Sequence, residues 1–215
     1  MKLVVKIGGS LCIDENGPMI SYFSRLVPVL KKLKKEHQLI VVIGGGEFIR
    51  KYYRSIEKFQ LSHDRMEWIA IDLLRVNARF LAYLLDTKPI FSLEEINNRS
   101  EGVISGIIPG RSTDANAALA AAKIKADLLV KLTNVDGIYT ADPRKSKSAK
   151  KIEAVPFSEL KKYSVSGKPG SYGILDRLAM ETIVKNKIRT VVMSGKEPKD
   201  LLGLIEGKKT GTLVS

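Results

Sequence analysis

The sequence has very little cysteine and no hydrophobic run long enough to cross a membrane. Cys12 is the single cysteine among 215 residues, so the chain cannot form an internal disulfide. This usage is typical of a protein kept in a reducing cytoplasm. No apolar stretch approaches the ~20 residues that a transmembrane helix needs. The segment Met1–Lys6 runs directly into a strand-like pattern, so we expect no signal peptide, a cytoplasmic location and no membrane partner.

Two common nucleotide-binding signatures are missing as well. The chain contains no G-x-x-x-x-G-K-[ST] sequence, which excludes the P-loop found in many ATPases and GTPases. It also contains no G-x-G-x-x-G sequence, so a dinucleotide-binding site has no support. A phosphate site in this protein would have to be built from other motifs.

Acidic residues are outnumbered, with 23 Asp and Glu against 36 Lys and Arg, which gives a formal net charge of +13. Such a balance favours anionic partners. However, the lysines fall in separate short clusters, without the interleaved aromatic residues that would stack on bases. The 25 Lys also exceed the 11 Arg, whereas recognition of phosphates and bases by forked donors favours Arg. We therefore predict a solvated, Lys-rich surface, as in many thermophilic proteins, and no nucleic-acid partner.

Short apolar runs alternate with segments of helical periodicity along the whole chain. Strands are predicted at Leu3–Ile7, Leu39–Ile43, Pro89–Phe91, Gly102–Ile107, Asp127–Leu132, Arg189–Met193 and Gly211–Val214. Helices are predicted at Pro18–His37, Glu47–Phe59, Ser62–Leu85, Thr113–Ile124, Leu175–Asn186 and Pro198–Ile205. This alternation implies an α/β fold with right-handed crossovers, a parallel sheet and helices on both faces. The length fits a single domain.

Glycine-rich loops follow two of the predicted strands. Gly8–Ser10 follows the first strand, and Gly44–Gly46 follows the second and leads into a helix that Glu47 opens. In parallel α/β sheets, ligands bind beyond the carboxyl ends of the strands. Glycine lets backbone N–H groups approach an anion closely. Two such loops at neighbouring strand ends suit two phosphate groups that face each other.

Four motifs in a fixed order carry a family resemblance. They are Lys6-Ile7-Gly8-Gly9-Ser10, Gly44-Gly45-Gly46 with Arg50, Ser112-Thr113-Asp114-Ala115, and Thr133-Asn134-Val135-Asp136-Gly137-Ile138-Tyr139 with Asp142-Pro143. In these motifs the chain resembles the amino acid kinase superfamily and, within it, the archaeal UMP kinases. The resemblance covers nearly the whole chain and implies a three-layer αβα sandwich around a mainly parallel sheet. It implies one domain over residues 1–215, with an acceptor-binding half at 1–125 and an ATP-binding half at 126–215.

The resemblance also implies an activity and its participants. The expected reaction is transfer of a phosphoryl group from ATP, with Mg²⁺, to a small phosphomonoester, most naturally UMP, by a homo-oligomer that is a dimer or a hexamer. Lys6 would neutralise charge on the transferring group, Asp114 would orient that lysine, and Lys168 would lie near the phosphates. The expected ATP-binding residues are Lys6, Gly8, Gly9, Ser10, Thr133, Asn134, Asp136, Gly137, Tyr139 and Asp142. The expected acceptor-binding residues are Gly44, Gly45, Gly46, Arg50, Glu67, Ser112 and Thr113, and no protein ligand for a metal is assigned.

The acceptor side departs from the UMP kinase pattern and leaves alternatives open. Glu67 stands where the family usually has an aspartate that binds the acceptor's ribose, and Ala70 stands where it has glycine. Gly44–Phe48 and Trp68–Ala70 also resemble the archaeal aminomethylfuran phosphate kinases of methanofuran synthesis. A third reading is a nucleotide-binding regulatory or storage protein of the same fold. Retention of both Lys6 and Asp114 argues against that third reading, because binding alone does not require the pair.

Overall fold

The structure is a computed structural model that describes residues 1–143, 145–163 and 174–215. Its strands are β1 Lys2–Ile7, β2 Ile13–Asp14, β3 Gly17–Pro18, β4 Gln38–Ile43, β5 Pro89–Ile90, β6 Gly102–Ile104, β7 Leu128–Thr133, β8 Ile138–Tyr139, β9 Lys151–Ile152, β10 Ala154–Val155, β11 Thr190–Ser194 and β12 Thr212–Val214. Its helices are α1 Gly9–Cys12, α2 Ile20–Glu36, α3 Gly46–Ile56, α4 His63–Leu84, α5 Thr113–Ile124, α6 Arg177–Asn186 and α7 Asp200–Ile205. Short 3₁₀ turns occupy Glu57–Phe59 and Phe157–Tyr163.

One eight-stranded sheet organises the molecule, in the order β10-β12-β11-β7-β1-β4-β6-β5. All neighbouring strands are parallel except β11 and β12, which run antiparallel. The sequence-based prediction of a mainly parallel α/β sheet is therefore confirmed. The strand β1 lies in the interior of this sheet, between β4 and β7, so the residues that follow it lie at the middle of the carboxyl edge.

Alternate residues of β1 enter two different cores. Leu3, Val5 and Ile7 pack with α2, α4 and α7 on one face of the sheet, whereas Val4 packs with α5 and α6 on the other. This follows from the two-residue period of a strand, and it gives three layers of helix, sheet and helix. The same period places the Lys6 side chain on the α5 face. No helix within the part of the chain that the structure describes is long and apolar enough to span a bilayer.

Candidate active site

Three charged side chains meet on the α5 face of the sheet. Lys6 lies on β1, Lys131 lies on the adjacent strand β7, and the two residues are register partners. Asp114 lies in the first turn of α5, where a carboxylate also interacts favourably with the helix dipole. The Lys131 Nζ donates a hydrogen bond to Asp114 Oδ2 at 2.6 Å. The Lys6 Nζ forms an ion pair with Asp114 Oδ1 at 3.1 Å.

Burial and charge together set the ionisation of this cluster. Burial would raise the pKa of Asp114, but the nearby charges of Lys131 and Lys6 outweigh it and lower the pKa to about 2. Burial lowers the pKa of Lys131 to about 8, although the Asp114 carboxylate opposes this shift. Asp114 is therefore an anion at neutral pH, and it acts by holding the two ammonium groups rather than by exchanging a proton.

The two glycine loops lie against each other beside this cluster. A Cβ atom built on Gly9 would lie 2.7 Å from Gly44 C and from Gly45 N, so the backbones touch where only glycine fits. Gly46 begins α3 with φ at 67°, in the left-handed region that favours glycine. The N–H of Gly8 donates to Leu132 O at 2.9 Å, and the N–H of Gly44 donates to Ile7 O at 3.0 Å. Donors for a phosphate must therefore come from the residues that follow Gly8 and Gly44.

Two predicted acceptor-binding side chains already have partners in this structure. The Arg50 guanidinium forms an ion pair with Glu47 at 2.7 Å, and its side chain is 58% exposed. The Glu67 carboxylate accepts a hydrogen bond from the N–H of Gly110 at 2.7 Å through Oε2. Its other oxygen, Oε1, lies 3.3 Å from His63 Nε2. Both side chains lie on helices that follow the Gly44–Gly46 loop.

Ser112 and Thr113 lie at the start of α5. The Ser112 hydroxyl accepts a hydrogen bond from the N–H of Ala115 at 2.9 Å and so caps α5. The same hydroxyl donates to Asp176, which accepts from the N–H of Ala179 at 3.0 Å and caps α6. Ser112 therefore joins two helix N-termini, whereas Thr113 is the half-buried first residue of α5.

The predicted ATP-binding residues from Thr133 to Asp142 lie on β7, on β8 and in the loops that follow these two strands. The Asn134 side chain donates to Ser10 Oγ at 2.9 Å and links the loop after β7 to the loop after β1. The Tyr139 hydroxyl donates to Asp136 Oδ1 at 2.7 Å. An open cavity of about 590 Å³ lies beside Tyr139 and Asp142, and that volume is within the range of small-ligand sites.

For Thr133 and Gly137, which are also predicted on the ATP side, the structure shows a position but does not indicate a role. Thr133 ends β7, and Gly137 packs so closely that a Cβ atom would lie 2.6 Å from Thr212 Oγ1. Lys168 lies outside the described residues.

The sequence-based reasoning missed Lys131, although the sequence contains a pattern that could have identified it. Leu128-Leu129-Val130-Lys131-Leu132 repeats the pattern of Leu3-Val4-Val5-Lys6-Ile7, with one lysine at the same place in an apolar strand.

Sequence comparisons with known proteins place this chain among similar kinases. The profile of the amino acid kinase family matches residues 1–194. The chain is 35% identical over 224 residues to the uridylate kinase of Thermococcus onnurineus. It is 36% identical over 226 residues to the uridylate kinase of Sulfurisphaera tokodaii. Each alignment covers 100% of this chain and 99% of the relative.

Solved structures give the same result for the fold. The crystal structure of the uridylate kinase from Archaeoglobus fulgidus matches with a TM-score of 0.87 and 30% identity, over 100% of both chains. The UMP kinase of Bacillus anthracis matches with a TM-score of 0.79 at 18% identity, over 100% of this chain and 95% of that one. At that identity the second match concerns the fold alone. The predicted amino acid kinase fold is confirmed.

Proposed function

The chain belongs to the amino acid kinase family, and on that basis we propose that it transfers the γ-phosphoryl group of ATP to UMP, forming UDP and ADP. The relatives that match along their full length are uridylate kinases. The observation that carries the proposal is the Lys6–Asp114 ion pair, which lies at the sheet edge where the two glycine loops touch. Binding of a nucleotide without turnover would not require this pair.

The chemistry needs charge stabilisation more than it needs an acid or a base. In phosphoryl transfer, negative charge is spread over the oxygens of the transferring group while the attacking and leaving oxygens stay roughly in line. The attacking oxygen of UMP belongs to a phosphate whose second pKa is about 6, so it is already deprotonated at neutral pH. Lys6 stabilises the transferring group electrostatically, and Asp114 holds its ammonium group in place.

The two substrates occupy opposite sides of this charge cluster. Residues 1–125 bind UMP, with its phosphate at the start of α3 near Arg50 and its ribose toward Glu67. Residues 126–215 bind the adenosine of ATP in the cavity beside Tyr139 and Asp142, and the phosphates of ATP reach Gly9 and Ser10 in the other half of the chain. The support is that the Asn134–Ser10 hydrogen bond joins these ATP-side loops, and that the Gly9 backbone touches the Gly44–Gly46 loop.

Mg²⁺ is part of the proposal as a companion of ATP. Among residues 1–143, 145–163 and 174–215, no group of three or more His, Cys, Asp and Glu could hold a metal ion. Mg²⁺ usually reaches kinase sites on substrate phosphates and retains several waters, so it does not need a cage of protein ligands. When bound, it would neutralise charge on the phosphates of ATP. The chain itself contributes Lys6 and the N–H groups of the glycine loops.

We propose further that the protein is a cytoplasmic homo-oligomer, a dimer or a hexamer. The support is an exposed apolar face on α4, where Val76 is 59% exposed and Tyr83 is 65% exposed. Monomeric proteins rarely leave a large contiguous apolar patch in water. The cytoplasmic location rests on the single cysteine, Cys12, which is free and buried.

An acceptor screen tests the proposed reaction. Purified protein is mixed with saturating ATP and Mg²⁺ and with UMP, CMP, AMP or small phosphomonoesters that lack a base, and ADP formation is measured. We expect UMP to give the highest kcat/KM. UMP turnover below ~1% of another phosphomonoester's would reject UMP as the acceptor, because that ratio exceeds ~2.7 kcal/mol of transition-state preference. Absence of ADP formation with every acceptor would reject the enzyme assignment.

A further inference from the structure

Lys131 is a second buried cation next to the catalytic lysine. It lies one strand away from Lys6 at the same register, so the two side chains point to the same face of the sheet. Both residues are almost fully buried, with 7% of Lys6 and 6% of Lys131 exposed. Their ammonium groups bind different oxygens of a single carboxylate, Asp114.

Two positive charges compete for one carboxylate in this cluster. The ammonium groups of Lys6 and Lys131 share Asp114. Asp176, the other carboxylate whose charge acts on Lys131, accepts a hydrogen bond from Ser112 instead. Burying a charge without full compensation destabilises a folded protein. Leu129, the residue of β7 that faces the same side of the sheet as Lys131, is buried and apolar, and an apolar side chain at position 131 would continue that surface. A lysine at this position would not stabilise a purely structural strand, whereas its positive charge would be useful in a site that binds phosphate oxygens.

The two contacts to Asp114 differ in kind. Lys131 makes the shorter one, a hydrogen bond of 2.6 Å to Oδ2, and its Nζ also donates to the carbonyl oxygen of Ile174. Lys6 makes an ion pair of 3.1 Å to Oδ1, without the geometry of a hydrogen bond. Lys131 is therefore anchored on two acceptors, while Lys6, which directly precedes the Gly8–Ser10 loop, is held less tightly.

We propose that Lys131 is a positioning residue for phosphoryl transfer, which holds and neutralises Asp114 so that the charge of Lys6 stays available to the transferring group. Without Lys131, Asp114 and Lys6 would neutralise each other, and Lys6 would present less net charge to the phosphates. The inference rests on the proposed kinase function and assigns a further residue to that same site. Lys131 acts through Asp114 and need not touch a substrate.

The ionisation of Lys131 makes the inference testable through the pH dependence of kcat/KM. Burial lowers its pKa to about 8, and Lys6 on β1 lowers it further, whereas Asp114 on α5 and Asp176 before α6 raise it. Its register partner on β11, Val192, carries no charge. Loss of the Lys131 proton leaves Asp114 to neutralise Lys6, so kcat/KM should fall as the pH rises through about 8. The profile of kcat/KM is the appropriate one, because it reports groups in the free enzyme.

The experiment compares Lys131→Met with the wild type and with a control, Lys31→Met. Methionine keeps an unbranched side chain about as long as the aliphatic part of lysine, and it removes the ammonium group with its charge. Lys31 forms an exposed ion pair with Asp86 at 2.8 Å and lies outside the site. The measurements are kcat and both KM values from about pH 6.5 to about pH 9.5, with a thermal melt of each protein.

We expect Lys131→Met to lose ~10- to 100-fold in kcat at neutral pH, because a misoriented group can cost about 10²-fold, and to keep both KM values within about threefold. The fall in kcat/KM above about pH 8 should be absent from Lys131→Met, whereas Lys31→Met should behave as the wild type does.

A Lys131→Met enzyme with wild-type kcat and an unchanged pH profile would show a structural role only and overturn the inference. If Lys131→Met does not fold, the wild-type profile decides, since a kcat/KM that stays flat to about pH 9.5 also overturns it. A wild-type protein that does not phosphorylate UMP would instead overturn the proposed function, and the inference with it.

Discussion

At the scale of single residues, the site depends on charged groups held inside an apolar sheet. Lys6 interrupts the buried run from Leu3 to Ile7, and its ammonium group lies 3.1 Å from Asp114 Oδ1. Such a lysine is costly to bury unless a partner compensates it, so its presence indicates a use. Asp114 stays ionised because the charges of Lys131 and Lys6 hold its pKa at about 2 despite burial.

Lys6→Ala should lower kcat much more than it raises either KM. The charge of Lys6 is needed mainly while the phosphoryl group transfers, so its loss should appear in the chemical step. Removal of one such stabilising group commonly costs ~10²- to 10³-fold in rate. Steady-state kinetics with ATP and UMP measure this. The matched control is Lys2→Ala on the same strand, where Lys2 Nζ donates to Ile124 O at 3.0 Å. A Lys6→Ala enzyme within about threefold of the wild-type kcat would remove Lys6 from the mechanism.

Glu67→Ala should weaken the binding of UMP and leave the binding of ATP nearly unchanged. If the carboxylate reaches the ribose hydroxyls, its loss should raise the KM for UMP by ~5- to 100-fold, as expected for a lost hydrogen bond to a charged group. Gly110 would lose its partner at the same time, because its N–H donates to Glu67 Oε2 at 2.7 Å. The exposed Glu57 supplies the control variant Glu57→Ala. Equal kcat/KM for UMP in the wild type and Glu67→Ala would exclude the ribose role.

Part of this residue-level account could be read from the sequence, and part could not. Lys6 and Asp114 were identifiable because each belongs to a local motif, Lys6 next to glycines and Asp114 in a helix's first turn. Their pairing with Lys131 depends on the register between β1 and β7, which lie more than 100 residues apart in the chain. Strand register is a long-range property that no local pattern encodes. For the same reason, the hydrogen bond from Ser112 to Asp176 was not foreseen.

At the scale of elements, the long strands and helices were predictable, as were the short strands β5, β6 and β12, whereas α1 and five two-residue strands were not. Those five strands are β2, β3, β8, β9 and β10. The buried runs of β1, β4 and β7 have the continuous apolar composition of interior parallel strands. The pairs β2–β3 and β8–β9 consist of two residues on each strand, which is too short for a period of two to be recognised. The β8–β9 pair carries Tyr139, one of the residues that we propose to bind ATP.

Gly9→Ala should force the two glycine loops apart. The new Cβ would lie 2.7 Å from Gly44 C and Gly45 N, and these backbone atoms cannot move aside without disturbing the loop before α3. Such overpacking typically costs about 1–3 kcal/mol, so the melting temperature and kcat/KM for both substrates should fall together. Gly203→Ala is the control, since its Cβ would meet the flexible side chain of Lys208, whose nearest atom, Cδ, would lie at 3.0 Å. An unchanged melting temperature and activity in Gly9→Ala would contradict the close contact between the loops.

At the scale of the whole molecule, charge and exposed apolar surface point to different partners. The net charge of +13 favours anionic partners such as the proposed nucleotide substrates. Exposed apolar residues of α4 lie on one helix face, and this face is where we propose that a second copy of the chain binds. We expect the mass in solution, measured by light scattering, to be two or six times the 23.8 kDa of one chain.

Val76→Glu combined with Tyr83→Glu should shift that mass toward the monomer, because two charges would then enter the apolar contact. Light scattering on the variant, with a melt to verify folding, gives the result. The control is Ile20→Glu, which changes another exposed apolar residue, 84% exposed, at the start of α2. A wild-type protein that is monomeric at high concentration would exclude α4 as an oligomer interface.

The central claim is the transfer of phosphate from ATP to UMP at the Lys6–Asp114 site. The most direct measurement follows a label from the γ-phosphate of ATP into the products in the presence of UMP. We predict that the label appears in the β-phosphate of UDP, with one ADP formed for each UDP, and that Lys6→Ala loses ~10²- to 10³-fold of this rate. Label released only as inorganic phosphate, or transferred as fast by Lys6→Ala as by the wild type, would contradict the claim.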